Sequence, residues 1–127
     1  MYQRALNADP NHAHYAHLLF ITNRDVEAIR HASSAIDRAA DNEEPLLAEC
    51  HFYLFMHVPD HREASGRELR AILAKGVSTD TWDFGQHLQR REREGDPRLP
   101  LLTTVADALR KGDPAGLDEF EEWRALG

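Results

Sequence analysis

The sequence predicts an all-α fold of antiparallel helical hairpins. Three observations predict it. Strand signals are nearly absent, because no stretch alternates apolar and polar residues with β-branched enrichment. Ala, Leu, Glu and Arg dominate, and these residues favour helix. Turn signals fall at regular intervals, at Asp9-Pro10, Asn23, Asp41-Asn42, Pro59-Asp60, Gly76, Gly95-Asp96-Pro97 and Gly112-Asp113-Pro114.

Between these breakers the apolar spacing is helical, and about eight helices are expected. Tyr2, Ala5 and Leu6 share one face of a short first helix. Asn11 can cap a second that runs to Thr22 and carries Tyr15, Leu18, Leu19 and Phe20. A third, from Arg24 to Ala40, repeats Val26, Ile29, Ala32, Ala35 and Ile36 in the stripe of an amphipathic helix. Asn42 can cap a fourth, with Pro45 in its first turn where a missing N–H costs little. Leu46, Leu47, Cys50, Phe52, Tyr53, Leu54, Phe55 and Met56 make this helix apolar nearly all round, so it should be the most buried. Pro59 ends it. A fifth helix runs from His61 to Lys75 and is closed by Gly76.

The stretch from Val77 to Asp83 reads as irregular. A sixth helix covers Trp82 to Glu94 and a seventh Leu99 to Arg110. Asp113 then caps an eighth, with Pro114 at its first position and Leu117, Phe120, Trp123 and Leu126 on one face. Short links make successive helices antiparallel neighbours. The expected core includes Leu18, Leu19, Ala28, Ile29, Ala32, Phe52, Leu54, Phe55, Leu69, Ile72 and Leu102.

A length of 127 residues suggests a single domain with a modest core. Fifteen Lys and Arg against 22 Asp and Glu leave a formal net charge of −7. Such a surface repels nucleic-acid phosphates and anionic lipid and favours basic partners. Cys50 is the only cysteine, which excludes an internal disulfide and a Cys-rich zinc site and suits a reducing compartment. No apolar run approaches the roughly 18 residues of a membrane span, and the N-terminus lacks the apolar segment of a signal peptide. A cytoplasmic protein with no nucleic-acid and no membrane partner is expected.

Tyr2, Ala5 and Pro10 fall at the spacing aromatic-x-x-Ala-x-x-x-x-Pro, and Asn23 to Ile29 brings a turn followed by a small residue, Ala28. This pattern resembles the tetratricopeptide repeat family. Residues 2–10 are similar to the second helix and closing turn of one repeat. Asn23 to Ala35 is similar to the inter-helix turn and second helix of the next, with Ala32 standing where the family prefers an aromatic and Ala35 at its later small position. The resemblance is clear over residues 2–40, weak over 41–75, where Ala64 echoes the motif, and absent after that. It implies a solenoid of helical hairpins over residues 1–75, followed by a divergent helical cap over 76–127.

The resemblance also implies a function. In that family the first helix of each hairpin lines a groove that holds peptides. Those helices here are residues 11–22 and 44–57, and His14 and His17 fall in the groove-facing register. Tyr15, Glu49 and Tyr53 are further candidates. The expected function is therefore a non-catalytic scaffold that binds a neutral or basic peptide or protein segment through a few aromatic anchors. The chain also opens inside a repeat, so the face of Tyr2 and Leu6 lacks its pairing helix. A frayed end, a truncated edge or a homodimer contact follows from that, and the alternative function is self-assembly through this open repeat.

Little in the sequence points to chemistry. His14 and His17 share a helix face with His12 nearby, but no third or fourth ligand stands at metal-binding spacing, so surface histidines are expected rather than a metal site. The metal alternative requires at least three of His12, His14, His17, His31 and a carboxylate to converge. His51 reads as a core histidine, and Pro59 separates His57 from His61. Cys50 reads as an inert buried thiol. No Gly-x-Ser-x-Gly elbow or phosphate-binding glycine loop occurs, and no cofactor is expected. Trp82 and Phe84 read as a plug at a helix start, and Gln89 to Glu94 as a solvated charged face.

Overall fold

The structure, a computed structural model, describes residues 10–39, 43–79 and 83–127. Its described residues form seven α-helices, two short 3-10 turns and no strand. They are α1 (Pro10–Ile21), α2 (Asp25–Arg38), α3 (Glu44–His57), α4 (Arg62–Ala74), α5 (Gly85–Arg93), α6 (Leu99–Lys111) and α7 (Glu121–Arg124). The 3-10 turns are Pro59–His61 and Leu117–Glu119. No helix is long and apolar enough to cross a membrane among the described residues.

The first four helices pair as the breakers direct. Asn23 turns the chain with a left-handed φ of 63°, and α1 packs along α2. The buried face of α2 is all alanine, Ala28, Ala32 and Ala35, which lets α1 and α3 approach it closely. Pro45 sits in the first turn of α3, and Pro59 starts the turn that reverses the chain into α4.

α3 is the centre of the fold. Phe52 through Val58 are consecutively buried, because α1, α2, α4 and α5 all pack on this helix. One apolar cluster continues from it through Leu69, Ile72 and Leu73 to Leu101, Leu102, Val105, Leu109, Leu117 and Trp123. Gly66 in α4 is one of its tight points. A Cβ there would stand 2.9 Å from Phe55 Cε1 and 2.7 Å from Leu126 Cδ1, so only glycine admits both side chains.

Beyond α4 the chain caps itself. Ser78 Oγ donates to the Arg110 carbonyl at 2.8 Å and Thr79 N to the Leu109 carbonyl at 2.7 Å, covering the last carbonyls of α6. Gly112 ends α6 in a left-handed conformation, and a Cβ on it would stand 2.9 Å from the Gly76 carbonyl.

The structure corrects four expectations. Asn11 lies inside α1 rather than capping it, since the helix already includes Pro10. Leu18 is 41% exposed rather than core. It stands two residues, about 200° of helix rotation, from both Ala16 and Phe20, which define the buried side. Val26 is 72% exposed for the same reason, two residues from Ala28. The eighth helix is broken. Asp113 Oδ1 accepts from Ala115 N at 3.0 Å in a local turn, and Gly116 takes φ 92°, so only α7 is helical. Leu117 and Trp123 are buried nonetheless. Asn42 and Trp82 lie outside the described residues.

Candidate functional site

α1 and α3 lie side by side, and the face they present is covered by α5. This is where the predicted groove would run. The cover is made by three side chains at three-residue steps, Phe84 just before α5 and His87 and Arg90 within it. Phe84 meets the Phe52 ring edge-on at 4.7 Å between centroids and the Tyr53 ring at 6.1 Å. His87 stacks on Tyr53 at 4.5 Å. Arg90 grips Asp25 with two hydrogen bonds of 2.9 Å and donates to the Phe20 carbonyl at 2.8 Å.

His87 joins three helices. Its Nε2 stands 2.8 Å from His17 Nδ1 in α1, and its Nδ1 stands 2.9 Å from His57 Nε2 at the end of α3. A neutral imidazole has one N–H and one lone pair. The three rings therefore form a chain whose hydrogen bonds all run the same way, from His17 toward His57 or the reverse. His57 Nδ1, at the end of that chain, is buried without a hydrogen-bond partner.

The environment keeps these rings neutral. Burial, then His87 and the cations Arg90 and Arg91, push His57 down to about 2. Burial, then His17 and Arg90, push His87 down to about 3. Burial and His14 lower His17, against a smaller opposing pull from Asp83. Glu49 departs the other way. Burial raises it to about 7 although Tyr53 donates its hydroxyl to the carboxylate at 2.5 Å.

In comparison with known proteins, no family model, no curated protein and no solved structure matches the chain. The reading of the site therefore stands on its geometry.

The predicted groove residues are dispersed by that geometry. His14 is exposed on α1, with its ring 6.2 Å from that of His17. Tyr15 is half-buried beside His31 at 5.4 Å. Tyr53 is fully buried beneath α5, so it faces the chain's own helix rather than solvent. Tyr2 and Leu6 lie outside the described residues. The histidines proposed for the metal alternative separate into pairs, His12 with His31 at 3.0 Å and His17 with His87. Among the described residues no group of three or more His, Cys, Asp or Glu is placed to hold a metal ion.

His51 meets Ser65 Oγ at 3.2 Å, as one hydrogen bond for a half-buried histidine would require. Cys50 is fully buried, and burial, with Glu49 beside it, pushes its thiol up, so little thiolate forms at neutral pH. The charged run Gln89 to Glu94 is solvated only in part, at Gln89, Glu92, Arg93 and Glu94. Arg90 and Arg91 are buried, Arg90 on Asp25 and Glu94, Arg91 on Glu94 and Asp96. The i, i+3, i+6 spacing of Phe84, His87 and Arg90 was the available signal that this helix has an inward face.

Proposed function

We propose that the chain is a non-catalytic, tetratricopeptide-like interaction scaffold that binds a peptide or protein segment along the face formed by α1 and α3. The observation that carries this reading is a helix, α5, seated on that face through aromatic, imidazole and guanidinium contacts. Two further features support it. The hairpins α1/α2 and α3/α4 stack through the alanine side of α2, as small residues in a helical repeat allow. His17, His57 and His87 are held neutral and Arg90 is ion-paired, which suits recognition. The net charge of −7 favours a neutral or basic segment.

The test is selection of a random peptide library on the intact chain, followed by hydrogen exchange of the chain with a selected peptide. The expected result is a neutral or basic consensus that slows exchange of α1 and α3 amides. Absence of any enriched sequence would end the scaffold reading.

A second reading, self-association, is favoured by exposed Leu18 and Val26 on the first hairpin. Light scattering across a concentration series decides it. A dimer weakened by Val26→Asp supports it, and a monomer throughout removes it.

A further inference from the structure

α5 is an unusual core element. Between Gly85 and Arg93 its only aliphatic side chain is that of Leu88, yet His87 is fully buried and Arg90 is 6% exposed. Its hold on α1 and α3 is mainly polar. A typical hydrogen bond contributes less net stability than a buried aliphatic side chain. Once detached, a segment carrying Gln86, Gln89, Arg90, Arg91, Glu92 and Arg93 exposes Phe84 and Leu88 but little other apolar surface to water.

The face beneath it is different. Phe20, Phe52 and Tyr53 are fully buried there, and without α5 they would form an aromatic patch that needs a cover. His57 meets α5 through its Nε2, on His87, while its Nδ1 on another side of the ring is buried without a hydrogen-bond partner.

Resting on the scaffold reading above, we infer that α5 is an internal stand-in for the partner, which presents a helix bearing an aromatic residue, a side chain that both donates and accepts hydrogen bonds, and an arginine at successive three-residue steps. The aromatic takes the place of Phe84 against Phe52. The middle side chain, His, Gln or Asn, bridges His17 and His57. The arginine engages Asp25 and the Phe20 carbonyl. Binding displaces α5, so the free chain holds its own site shut.

Two measurements test this on the full chain. The first is native-state hydrogen exchange. The amides of residues 89–93 should exchange at least tenfold faster than those of residues 52–57, because α5 opens without global unfolding. The second is fluorescence anisotropy of a labelled peptide comprising residues 83–95. It should bind the Arg90→Ala chain at least tenfold more tightly than the unaltered chain, in which α5 competes, and a peptide with Phe84→Ala should lose that binding. Equal protection of α5 and α3 overturns the inference, as does equal peptide affinity for the two chains. Should Arg90→Ala fail to fold, the exchange comparison on the unaltered chain decides alone. If selected peptides protect a surface other than α1 and α3 while α5 stays closed, this inference fails and the broader scaffold function survives. If no peptide is selected, the scaffold reading fails with it.

Discussion

α3 and α5 both contribute fully buried side chains, but by opposite means. α3 is apolar on every side and sits among four other helices, so its burial follows from removing hydrocarbon from water. α5 is almost wholly polar, and it is buried because particular groups on α1, α2 and α3 meet its histidine and arginine. The first kind of burial holds the fold together. The second fixes one helix on one face of it, since a buried polar group left unpaired is costly.

The largest expected effect is in α3. Phe55 is fully buried, edge-on to Trp123 at 6.2 Å and beneath the Arg98 guanidinium at 4.6 Å. Phe55→Ala should cost about 3–5 kcal/mol, much of a total that is roughly 5–15 kcal/mol for a domain. Denaturant titration should show one cooperative transition with a lower midpoint. A loss confined to the exchange of α5 amides would contradict the central place given to α3.

Asp25→Ala acts on the other kind of burial. It leaves the Arg90 guanidinium, with a side chain 8% exposed, without its two-bond partner. The expected loss is about 1–3 kcal/mol, below that of a deeply buried pair because Asp25 is one-third exposed and Arg90 keeps Glu94 and the Phe20 carbonyl. Exchange should speed up in α5 by a larger factor than in α3. A uniform change in both would mean that α5 opens only with the whole fold.

This contrast also explains what could be read in the sequence. α3 announces itself, because nine apolar residues from Leu46 to Met56 leave no continuous polar face. The hairpin turns were legible for similar local reasons, in Asn23, Pro59 and Gly76. α5 reads as solvated because Arg90 and Arg91 are charged; Glu94 is a partner visible nearby, but the burial of Arg90 also needs Asp25, 65 residues away, and that of Arg91 Asp96 across the following turn. Likewise His57 and His87 carry no local sign of meeting, since their pairing spans 30 residues. The eighth helix fails for a local reason visible in the sequence, Gly116, whose left-handed φ turns the chain out of the helix.

Titration separates the two regions next. His57 and His87 are held neutral in the fold, so the unfolded chain takes up their protons as pH falls below about 6.5. Their stabilisation is present above that pH and is lost toward about 3 and about 2. Glu49 opposes them. Its carboxyl is raised to about 7, so its favourable contribution is present below its unfolded value of 4.5 and is lost as pH rises through 7. Between pH 4.5 and 6.5 the uptake by Glu49 in the fold offsets part of the uptake by His57 and His87 in the unfolded chain, to which His17 and His51, also lowered by burial, add. Stability should therefore fall gently over that window and steeply below it. Glu49→Gln, which can still accept from Tyr53, should remove the gentle part and start the steep fall, about 1.4 kcal/mol per pH unit for each net proton, near pH 6.5. An unchanged profile in thermal melts of Glu49→Gln would refute the opposed titration.

The smallest expected effect gives the sharpest control, because it is taken two residues from Asp25. Glu27 lies in the same first turn of α2 and also pairs with an arginine, Arg24, at 2.6 Å. Both partners are about half exposed, the pair is three residues apart, and water competes for each group. Glu27→Ala should change stability by less than about 0.5 kcal/mol and leave α5 exchange unaltered. Both carboxylates favour the positive end of the α2 dipole, so that contribution is nearly common to the two substitutions. What differs is whether the arginine can return to solvent when its partner is removed. Arg24 can, and Arg90 cannot without taking α5 off the face it covers. If Glu27→Ala loosened α5 as much as Asp25→Ala, the effect would belong to the α2 N-terminus rather than to the Arg90 contact, and α5 would be held by the helix end instead of by the site.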